Sequence, residues 1–329
     1  MIISRTPYRI SLFGGGTDYP TWYRKYGGKV LASTIDKYLY ISVRNLPPYF
    51  SHRLRLVYSI IEECQSFDEI RHPTAREVLK YLNVKDGLEI HYDGDLPGQS
   101  GMGSSSSFTV GLLNALIAYT GGVATPESLV EKSIYIEQDV VGEAVGSQDQ
   151  VCAAYGGFNN IGFHTDGSVS VDPVGLSRDR IKALNEHLML FFTGKARLAH
   201  EVAITYANNL DSQKEKLIRM LEMVDEAKEI LQGGGELNQI GYLLDESWIL
   251  KRSLSPTVST EMLDAVYAAA KAEGALGGKL TGAGGGGMFL LFVPPSRQLN
   301  VRNRLEHLLH IPFTFQSVGS QVIFSDQSQ

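Results

Sequence analysis

The chain has 329 residues, of which 43% are hydrophobic and 20% are charged, a composition typical of a globular protein long enough for two domains. Its formal net charge of -6 argues against nucleic acid or an anionic membrane as a partner, although it leaves small anionic ligands open. The 2 cysteines form no disulfide framework, the first residues lack the apolar core of a signal peptide, and no apolar run could span a bilayer, so we expect a cytoplasmic protein.

Strands are predicted first along the chain. Loose alternation over residues 2–13 indicates a strand pair or one long strand, and a run rich in Val, Ile and Tyr over 29–43 indicates a further strand that a pair of prolines ends. A helix over 74–82 and a short strand over 88–92 follow. This short strand leads into a segment rich in glycine and serine, residues 96–107, which we call the Gly–Ser loop.

The Gly–Ser loop precedes a helix that is predicted from Phe108, where apolar residues begin to recur at helical spacing. A helix N-terminus offers unpaired N–H groups and partial positive charge, and glycines let the backbone approach an anion closely. Serine hydroxyls can cap the helix, bind phosphate oxygens or reach Mg2+. We interpret the loop as a nucleoside triphosphate site, and the alternative is a surface loop with a serine N-cap. Neither a Walker motif nor a dinucleotide-binding fingerprint fits its spacing.

Two carboxylates follow in the next predicted helices. The first helix starts at Thr125, a good N-cap residue, and extends to about residue 140. Glu137 lies on its apolar face, where a carboxylate needs a cation such as Mg2+ or a hydrogen-bond donor; the alternative is a glutamate at the helix edge that reaches solvent. Asp149 begins a second helix over 147–154, and its alternative role is that of an N-terminal cap.

The sequence pattern changes after Pro173, and we place a domain boundary within residues 173–187. We predict an N-terminal domain over 1–178 and a C-terminal domain over 179–329. The elements predicted around and after the boundary are a hairpin over 158–171, a strand over 188–193, helices from about 196 to 271 broken by three glycines, a strand over 288–293, a helix over 296–309 and a closing strand pair over 313–324.

Two more glycine-rich segments stand out. The first, Thr6–Tyr19, places three glycines and then Thr17 and Asp18 after the first strand. This pattern is typical of a loop that approaches a ligand closely and carries a polar group to recognise it, or of a tight turn with an Asx cap. The second, Lys279–Met288, has five glycines in six positions, which favours a backbone packed tightly against a ligand or another loop.

With these three segments in this order, the chain resembles the GHMP kinase superfamily, which includes galactokinase, homoserine kinase, mevalonate kinase and phosphomevalonate kinase. The resemblance spans most of the chain. It implies an α/β fold of the α+β two-domain GHMP type. The N-terminal domain would be ribosomal-protein-S5-like and the C-terminal domain ferredoxin-like, with the active site in the cleft between them.

The resemblance also implies roles for particular residues. Asp149 would face the substrate hydroxyl and Arg9 would neutralise charge beside it, while the adenine pocket would lie around residues 58–73. Mg2+ would be held by Ser104 or Ser105 together with Glu137. The residues implied for ATP are Pro97, Gly98, Gln99, Ser100, Gly101, Met102, Gly103, Ser104, Ser105 and Ser106, and those implied for the substrate are Gly15, Gly16, Thr17, Asp18, Lys195, Arg197, Gly284 and Gly285.

One departure from the galactokinase pattern bears on the substrate. Galactokinases read G-E-H-T-D-Y where this chain has two glycines, Gly15 and Gly16, in place of Glu and His. Galactose is therefore not expected, and the space suits a larger or anionic group. The string F-G-G-G-T-D-Y-P and the later F-T-G-K-A-R are similar to bacterial D-glycero-D-manno-heptose 7-phosphate kinases, and then to the kinase half of bifunctional fucokinases.

That resemblance implies transfer of the ATP γ-phosphoryl group to the anomeric hydroxyl of heptose 7-phosphate, giving the 1,7-bisphosphate for surface polysaccharide synthesis. Lys195 and Arg197 are candidates for the distal phosphate, with Lys251 and Arg252 next, and each could instead be a solvated helix charge. The alternatives are a 1-kinase of another sugar such as L-fucose and a non-catalytic sugar sensor of the same fold. The expected partners are a sugar phosphate and ATP, with either a monomer or a homodimer.

Overall fold

The computed structural model describes residues 1–84, 87–194 and 210–326. Its strands are β1 (Ile2–Phe13), β2 (Gly28–Asn45), β3 (Leu54–Val57), β4 (Ile61–Cys64), β5 (Leu88–Gly94), β6 (Phe158–Phe163), β7 (Val169–Pro173), β8 (Leu188–Phe192), β9 (Gly277–Leu280), β10 (Met288–Phe292), β11 (Leu309–Ile311), β12 (Phe315–Gln316) and β13 (Gln321–Ser325). Its α-helices are α1 (Pro20–Tyr26), α2 (Pro73–Tyr81), α3 (Ser104–Tyr119), α4 (Pro126–Ile134), α5 (Gln148–Tyr155), α6 (Arg178–His187), α7 (Lys214–Gln232), α8 (Asn238–Arg252), α9 (Glu261–Ala272) and α10 (Gln298–Arg304). No described helix combines the length and hydrophobicity that crossing a bilayer requires.

The first sheet is built on a long antiparallel pair, β1 and β2, whose register runs from Ile2 opposite Val43 to Phe13 opposite Leu31. The main path of the sheet is β13-β1-β2-β5-β3-β4, and β12 and β6 also pair with β2, with β7 beside β6. Helix α3 packs against β1 and β2 and against α4 and α5. Because α3 is covered on these sides, its apolar residues are buried nearly all round rather than on one stripe.

The second sheet has the order β11-β8-β10-β9 and is antiparallel throughout. Numbered from β8, this is the order 4-1-3-2 of a ferredoxin-like arrangement. Strand β10 is buried along its whole length, as expected for a central strand covered on its faces. Trp248 of α8 and Tyr267 of α9 pack on Phe289 of β10, with ring centroids 5.5 and 5.6 Å away.

Most predicted elements are confirmed, and the differences have local causes. Helix α3 begins at Ser104 rather than at Phe108, because Gly103 with φ 78° provides the N-cap. Residues 253–260 separate α8 from α9 as a further break in the predicted helical region. The helix predicted over 296–309 is shorter, with α10 preceded by a 3-10 turn, and its last predicted residue, Leu309, begins β11 against β8.

The prediction that the two closing strands pair with each other is wrong. Strand β12 pairs with β2 and strand β13 pairs with β1, so both strands belong to the first sheet. The boundary near residue 178 stays a prediction, and the segment 315–325 that it assigned to the second domain lies in the first sheet. This returning segment packs closely on the residue that follows α5, since a Cβ added at Gly156 would lie 2.0 Å from the carbonyl carbon of Val318.

Gly156→Ala tests this close approach. Gly156 has φ +67° and no room for a methyl group, so we expect a loss of more than about 3 kcal/mol in the free energy of unfolding. The matched control is Gly167→Ala, at φ +90° with nothing within 4 Å of the added Cβ, which should cost only about 1–2 kcal/mol. Chemical denaturation of both variants measures the difference, and equal losses would contradict the tight docking of residues 315–325.

Candidate active site

A cavity of about 660 Å³ lies where the elements of the two sheets meet. Its wall combines β1, the turn after β1, the Gly–Ser loop, the start of α5, the end of α8 and the end of β9. The residues that line it are Arg9, Ser11, Gly15, Gly16, Asp18, Tyr19, Pro73, Gln99, Gly101, Gly103, Ser104, Ser105, Ser106, Val141, Gly142, Glu143, Val145, Gly146, Gln148, Asp149, Lys251, Lys279, Gly282 and Ala283.

Arg9 and Asp149 form a bidentate ion pair on this wall. Arg9 Nε donates to Asp149 Oδ1 at 2.6 Å and Nη2 to Oδ2 at 2.7 Å, while Nη1 donates to the carbonyl of Gly101 at 2.8 Å. Arg9 is only 4% exposed. Burial disfavours its charge, but the adjacent Asp149 carboxylate outweighs that effect and raises the pKa of Arg9. The predicted pair is thus brought together and locked to the Gly–Ser loop.

The Gly–Ser loop presents the N-terminus of α3 to the cavity. Gln99 adopts φ 59°, an unusual backbone conformation for a residue other than glycine, and Gly103 adopts φ 78°. Among the predicted loop residues, Gln99, Gly101, Gly103, Ser104, Ser105 and Ser106 line the cavity. Pro97 and Gly98 are exposed outside it, and Ser100 and Met102 are buried behind it, with the Met102 carbonyl accepting from the Arg9 backbone N–H.

The glycine-rich segment Lys279–Met288 packs against the Gly–Ser loop. A Cβ at Gly282 would lie 2.6 Å from Cα of Gly101, and one at Gly287 would lie 2.4 Å from the carbonyl oxygen of Ser100. This confirms a backbone packed against another loop. Gly284 and Gly285 do not line the cavity. They lie against Val258, whose carbonyl accepts from the Gly285 N–H at 3.0 Å.

The turn after β1 brings Asp18 to the cavity with Gly15 and Gly16. Asp18 is 1% exposed, and its Oδ1 accepts from the Gly16 N–H at 2.8 Å. Burial is the main reason that the pKa of Asp18 is raised. Thr17 is buried with its hydroxyl bonded to the carbonyls of Gly14 and Lys29, so it shapes the turn and does not line the cavity.

Two polar residues that sequence reasoning missed lie beside Gly15. Ser11 Oγ and Gln148 Oε1 are buried on the cavity wall and have no hydrogen-bond partner among the residues that the structure describes. Buried polar atoms of this kind usually find a partner, so a polar ligand would satisfy them. A single Ser inside a strand and a Gln at a helix start give no signal in the sequence that could have identified them.

Glu137 lies behind the loop serines rather than on the cavity wall. It is fully buried within a π-helical turn, residues 135–140, that continues α4. Its Oε2 accepts from Ser106 Oγ at 3.0 Å and from Gln150 Nε2 at 2.5 Å. Its Oε1 has no partner among the described residues, and burial raises the pKa of Glu137 to about 7.

The chemistry of the residues predicted to hold Mg2+ suits that ion in part. The orphaned Oε1 and the hydroxyls of Ser104 and Ser105 are hard oxygen ligands. Within the described ranges, no group of three or more His, Cys, Asp or Glu side chains could hold a metal by itself. Mg2+ is commonly bound by one or two carboxylates with phosphate oxygens and water completing its shell, so these residues fit a metal that arrives with a nucleotide.

Two buried lysines complete the wall. Lys251, one of the further candidates for binding a distal phosphate, lines the cavity, whereas Arg252 pairs with Asp264 at 2.8 Å and does not. Lys279 also lines the cavity and was missed, because nothing local in the sequence shows that its side chain is buried. The other candidates for a distal phosphate, Lys195 and Arg197, lie outside the described residues.

Comparison with known proteins identifies the family. The family model described as GHMP kinases N terminal domain matches residues 70–157, and that described as GHMP kinases C terminal matches residues 223–310. The chain is 27% identical to D-glycero-alpha-D-manno-heptose 7-phosphate kinase of Campylobacter jejuni, over 97% of this chain and 98% of that protein. It is 29% identical to the bifunctional fucokinase/GDP-fucose pyrophosphorylase of Arabidopsis thaliana, over 67% of this chain and 21% of that protein.

Solved structures share the fold. A crystal structure of a D-glycero-D-manno-heptose 1-phosphate kinase from Bacteroides thetaiotaomicron superposes with a TM-score of 0.81, at 24% identity, over 99% of this chain and 100% of that chain. A galactokinase from Lactococcus lactis, solved with galactose, has a TM-score of 0.74 at 19% identity, over 97% of this chain and 94% of that chain. The family models, the full-length relative and the shared fold agree: the chain belongs to the GHMP kinases and is a phosphotransferase with an alcohol group as acceptor.

Proposed function

We propose that this kinase transfers the γ-phosphoryl group of ATP to the anomeric hydroxyl of D-glycero-D-manno-heptose 7-phosphate and so makes the 1,7-bisphosphate. The observation that carries the proposal is the Arg9–Asp149 ion pair on the cavity wall, held against the loop at the N-terminus of α3. The choice of sugar is supported by the Campylobacter jejuni relative, which aligns with this chain over nearly its whole length.

The Gly–Ser loop is proposed to hold the ATP phosphates. Ser104, Ser105 and Ser106 form the first turn of α3 and line the cavity, so their N–H and hydroxyl groups are available to donate to phosphate oxygens. The cavity is also lined by Pro73, at the end of the segment in which the family resemblance places the adenine pocket. We assign the part of the cavity at Pro73 to the base and the part at Asp149 to the acceptor.

Asp149 and Arg9 are proposed to act on the acceptor. Both carboxylate oxygens of Asp149 accept from Arg9, and each keeps a lone pair for the sugar hydroxyl. As the anomeric oxygen bonds to the γ-phosphorus, the bond from that phosphorus to the β–γ bridging oxygen breaks, ADP leaves, and Asp149 accepts the hydroxyl proton. Arg9 stabilises the negative charge, and catalysis consists mainly of positioning and charge neutralisation.

Glu137, Ser104 and Ser105 are proposed to hold Mg2+, which would neutralise phosphate charge when it is bound with ATP. Asp18, Ser11 and Gln148 are proposed to recognise sugar hydroxyls. All three line the cavity with Gly15 and Gly16, and a Cβ added at Gly15 would lie 3.5 Å from Ser11 Oγ and 3.9 Å from Gln148 Nε2, so the glycines leave room for a seven-carbon sugar.

A second candidate is an anomeric kinase of a neutral sugar such as L-fucose, which the Arabidopsis thaliana relative supports over part of this chain. The two candidates differ in the charge of the acceptor.

A panel of heptose 7-phosphate, unphosphorylated heptose, L-fucose, galactose and mevalonate, with ADP release as the readout, separates them. We expect kcat/KM for heptose 7-phosphate to exceed that for unphosphorylated heptose at least about 10-fold, since a charge-assisted contact contributes about 1.5–3 kcal/mol. Equal use of both heptoses would favour the neutral-sugar kinase.

Asp149→Asn tests the acceptor site. We expect kcat to fall by about 10²–10⁴-fold, with the loss at the low end if the transition state is loose, while KM for ATP stays within about twofold. Steady-state kinetics measures both values. The matched control is Asp225→Asn, which also removes the carboxylate of an ion pair, with Lys29, but far more exposed and not on the cavity wall. Unchanged turnover in Asp149→Asn would remove this residue from the mechanism.

Glu137→Gln tests the buried carboxylate through stability. The folded-state pKa of Glu137 is raised from 4.5 to about 7. The protonated side chain therefore contributes fully to the free energy of unfolding below pH 4.5, and this contribution is lost as the pH rises through 7. Without divalent cations, the variant should therefore match wild type near pH 4.5 and be more stable above pH 7, by at most about 3 kcal/mol. Denaturation at several pH values measures this difference.

The control for this experiment is Glu62→Gln. Glu62 is also buried, but hydrogen bonds from Arg71 N, Tyr58 Oη and His72 N outweigh its burial and lower its pKa, so the substitution should destabilise the protein at neutral pH.

Mg2+ with a non-hydrolysable ATP analogue should stabilise wild type more than Glu137→Gln. Equal stabilisation would argue against Glu137 as a metal ligand.

A further inference from the structure

Lys251 and Lys279 place two buried lysine side chains on one wall of the cavity. Lys251 is 7% exposed and Lys279 is 2% exposed, yet both line the cavity. Lys279 Nζ donates to the carbonyl of Leu12 at 3.0 Å. Lys251 Nζ donates to the carbonyls of Leu280 at 2.9 Å and Gly282 at 2.5 Å. Among the described residues, neither ammonium group pairs with a carboxylate.

This arrangement gives neither lysine a charged partner and leaves N–H donors without a partner among the described residues. An ammonium group has three N–H donors, and the hydrogen bonds to described residues use one donor of Lys279 and two of Lys251. Burying the charged form of a lysine without a charged partner is costly, whereas a lysine on the surface keeps its charge in water without that cost. Burial, with Arg9 nearby, lowers the pKa of Lys279 to about 7; burial and the neighbouring Lys279 lower the pKa of Lys251 well below its ordinary value. An anion in the cavity would restore both charges.

The position of the two lysines favours the acceptor side of the cavity. Leu12, the partner of Lys279, ends β1 just before the turn that carries Gly15, Gly16 and Asp18. Asp18 and Arg9 are the groups outside the lysine pair that act electrostatically on both lysines. The proposed ATP site has its own donors at the N-terminus of α3, whereas a dianionic acceptor would otherwise meet Asp18 and Asp149 on its side.

We propose that Lys251 and Lys279 together bind the phosphate group carried by the acceptor, so that this pair sets the preference for a phosphorylated sugar. This inference rests on the proposed sugar-phosphate kinase function. It places the distal phosphate in the described part of the chain, against the wall that α8 and β9 provide. The γ-phosphate of ATP is the other source of the same chemistry, and the test separates the two.

The first arm of the test uses inorganic phosphate as the probe. Its binding is measured by titration calorimetry to wild type, to Lys251→Met and to Lys279→Met, each with and without a saturating non-hydrolysable ATP analogue. We expect phosphate to bind wild type in both conditions and to bind each variant at least about 10-fold more weakly, as loss of a charge-assisted hydrogen bond predicts. Lys271→Met is the matched control, because Lys271 also donates to a backbone carbonyl, that of Leu276, away from the cavity.

The Met variants are expected to fold, since an apolar side chain of similar length replaces a buried charge. Lys279→Gln and Lys251→Gln add a second set that keeps a donor for the backbone carbonyl but removes the charge. They should also lose phosphate binding. Normal phosphate binding by the Gln variants, or by the Met variants, would overturn the proposal, and so would failure of wild type to bind phosphate. Displacement of phosphate by the ATP analogue would assign the lysines to the triphosphate instead and would overturn it as well.

The second arm is kinetic. For Lys251→Met and Lys279→Met, the ratio of kcat/KM for heptose 7-phosphate to kcat/KM for unphosphorylated heptose should fall about 10- to 100-fold, and KM for ATP should change less than KM for heptose 7-phosphate. A rise in KM for ATP alone would contradict the acceptor assignment. If heptose 7-phosphate is not a substrate but lysine-dependent phosphate binding persists beside the ATP analogue, the proposed sugar is wrong and the phosphate site stands.

Discussion

The Arg9–Asp149 ion pair is the interaction on which the rest of the site depends. A buried guanidinium needs its charge and its N–H groups satisfied, and Arg9 meets that need with both carboxylate oxygens of Asp149 and the carbonyl of Gly101. One side chain therefore fixes β1, the Gly–Ser loop and α5 relative to one another. Because all three segments line the same cavity, the pair sets the distance between the proposed phosphate site and the proposed acceptor site.

The first turn of α5 extends this coupling. Three successive residues reach three different groups: the Gln148 N–H faces Asp18 at 3.4 Å, Asp149 binds Arg9, and Gln150 donates to Glu137. A helical turn directs neighbouring side chains to different sides, so one rigid element can hold groups from the turn after β1 and from the π-helical turn. A shift of α5 would therefore move all three contacts together. Gly146, just before α5, also packs tightly on Asp18, since a Cβ added there would lie 1.9 Å from a carboxylate oxygen.

Local patterns in the sequence predicted most strands and helices and the cavity-lining loop, but long-range contacts set what they missed. The helix was predicted from Phe108, where apolar residues begin to recur at helical spacing, yet Ser106 and Ser107 are buried in α3 with their hydroxyls donating to Glu137 and to the Pro7 carbonyl. Lys279 was missed because its partner, Leu12, is 267 residues away. The pairing of β12 and β13 with the first sheet was equally invisible, since a strand pattern does not name its partner.

The return of the chain to the first sheet has a consequence for how the protein is made. Strand β13 covers the outer edge of β1, and Ser320 is hydrogen-bonded to Thr6 and Asn114, so β1 pairs with a strand that is synthesised about 300 residues after it. Until residues 315–325 have been synthesised, the edge of β1 has no described partner on that side and the second sheet stands as an insertion between the two halves of the first. Contacts of such high sequence separation slow folding, and an open strand edge invites association with other chains. The nascent protein is thus vulnerable to misassembly until residues 315–325 have been made.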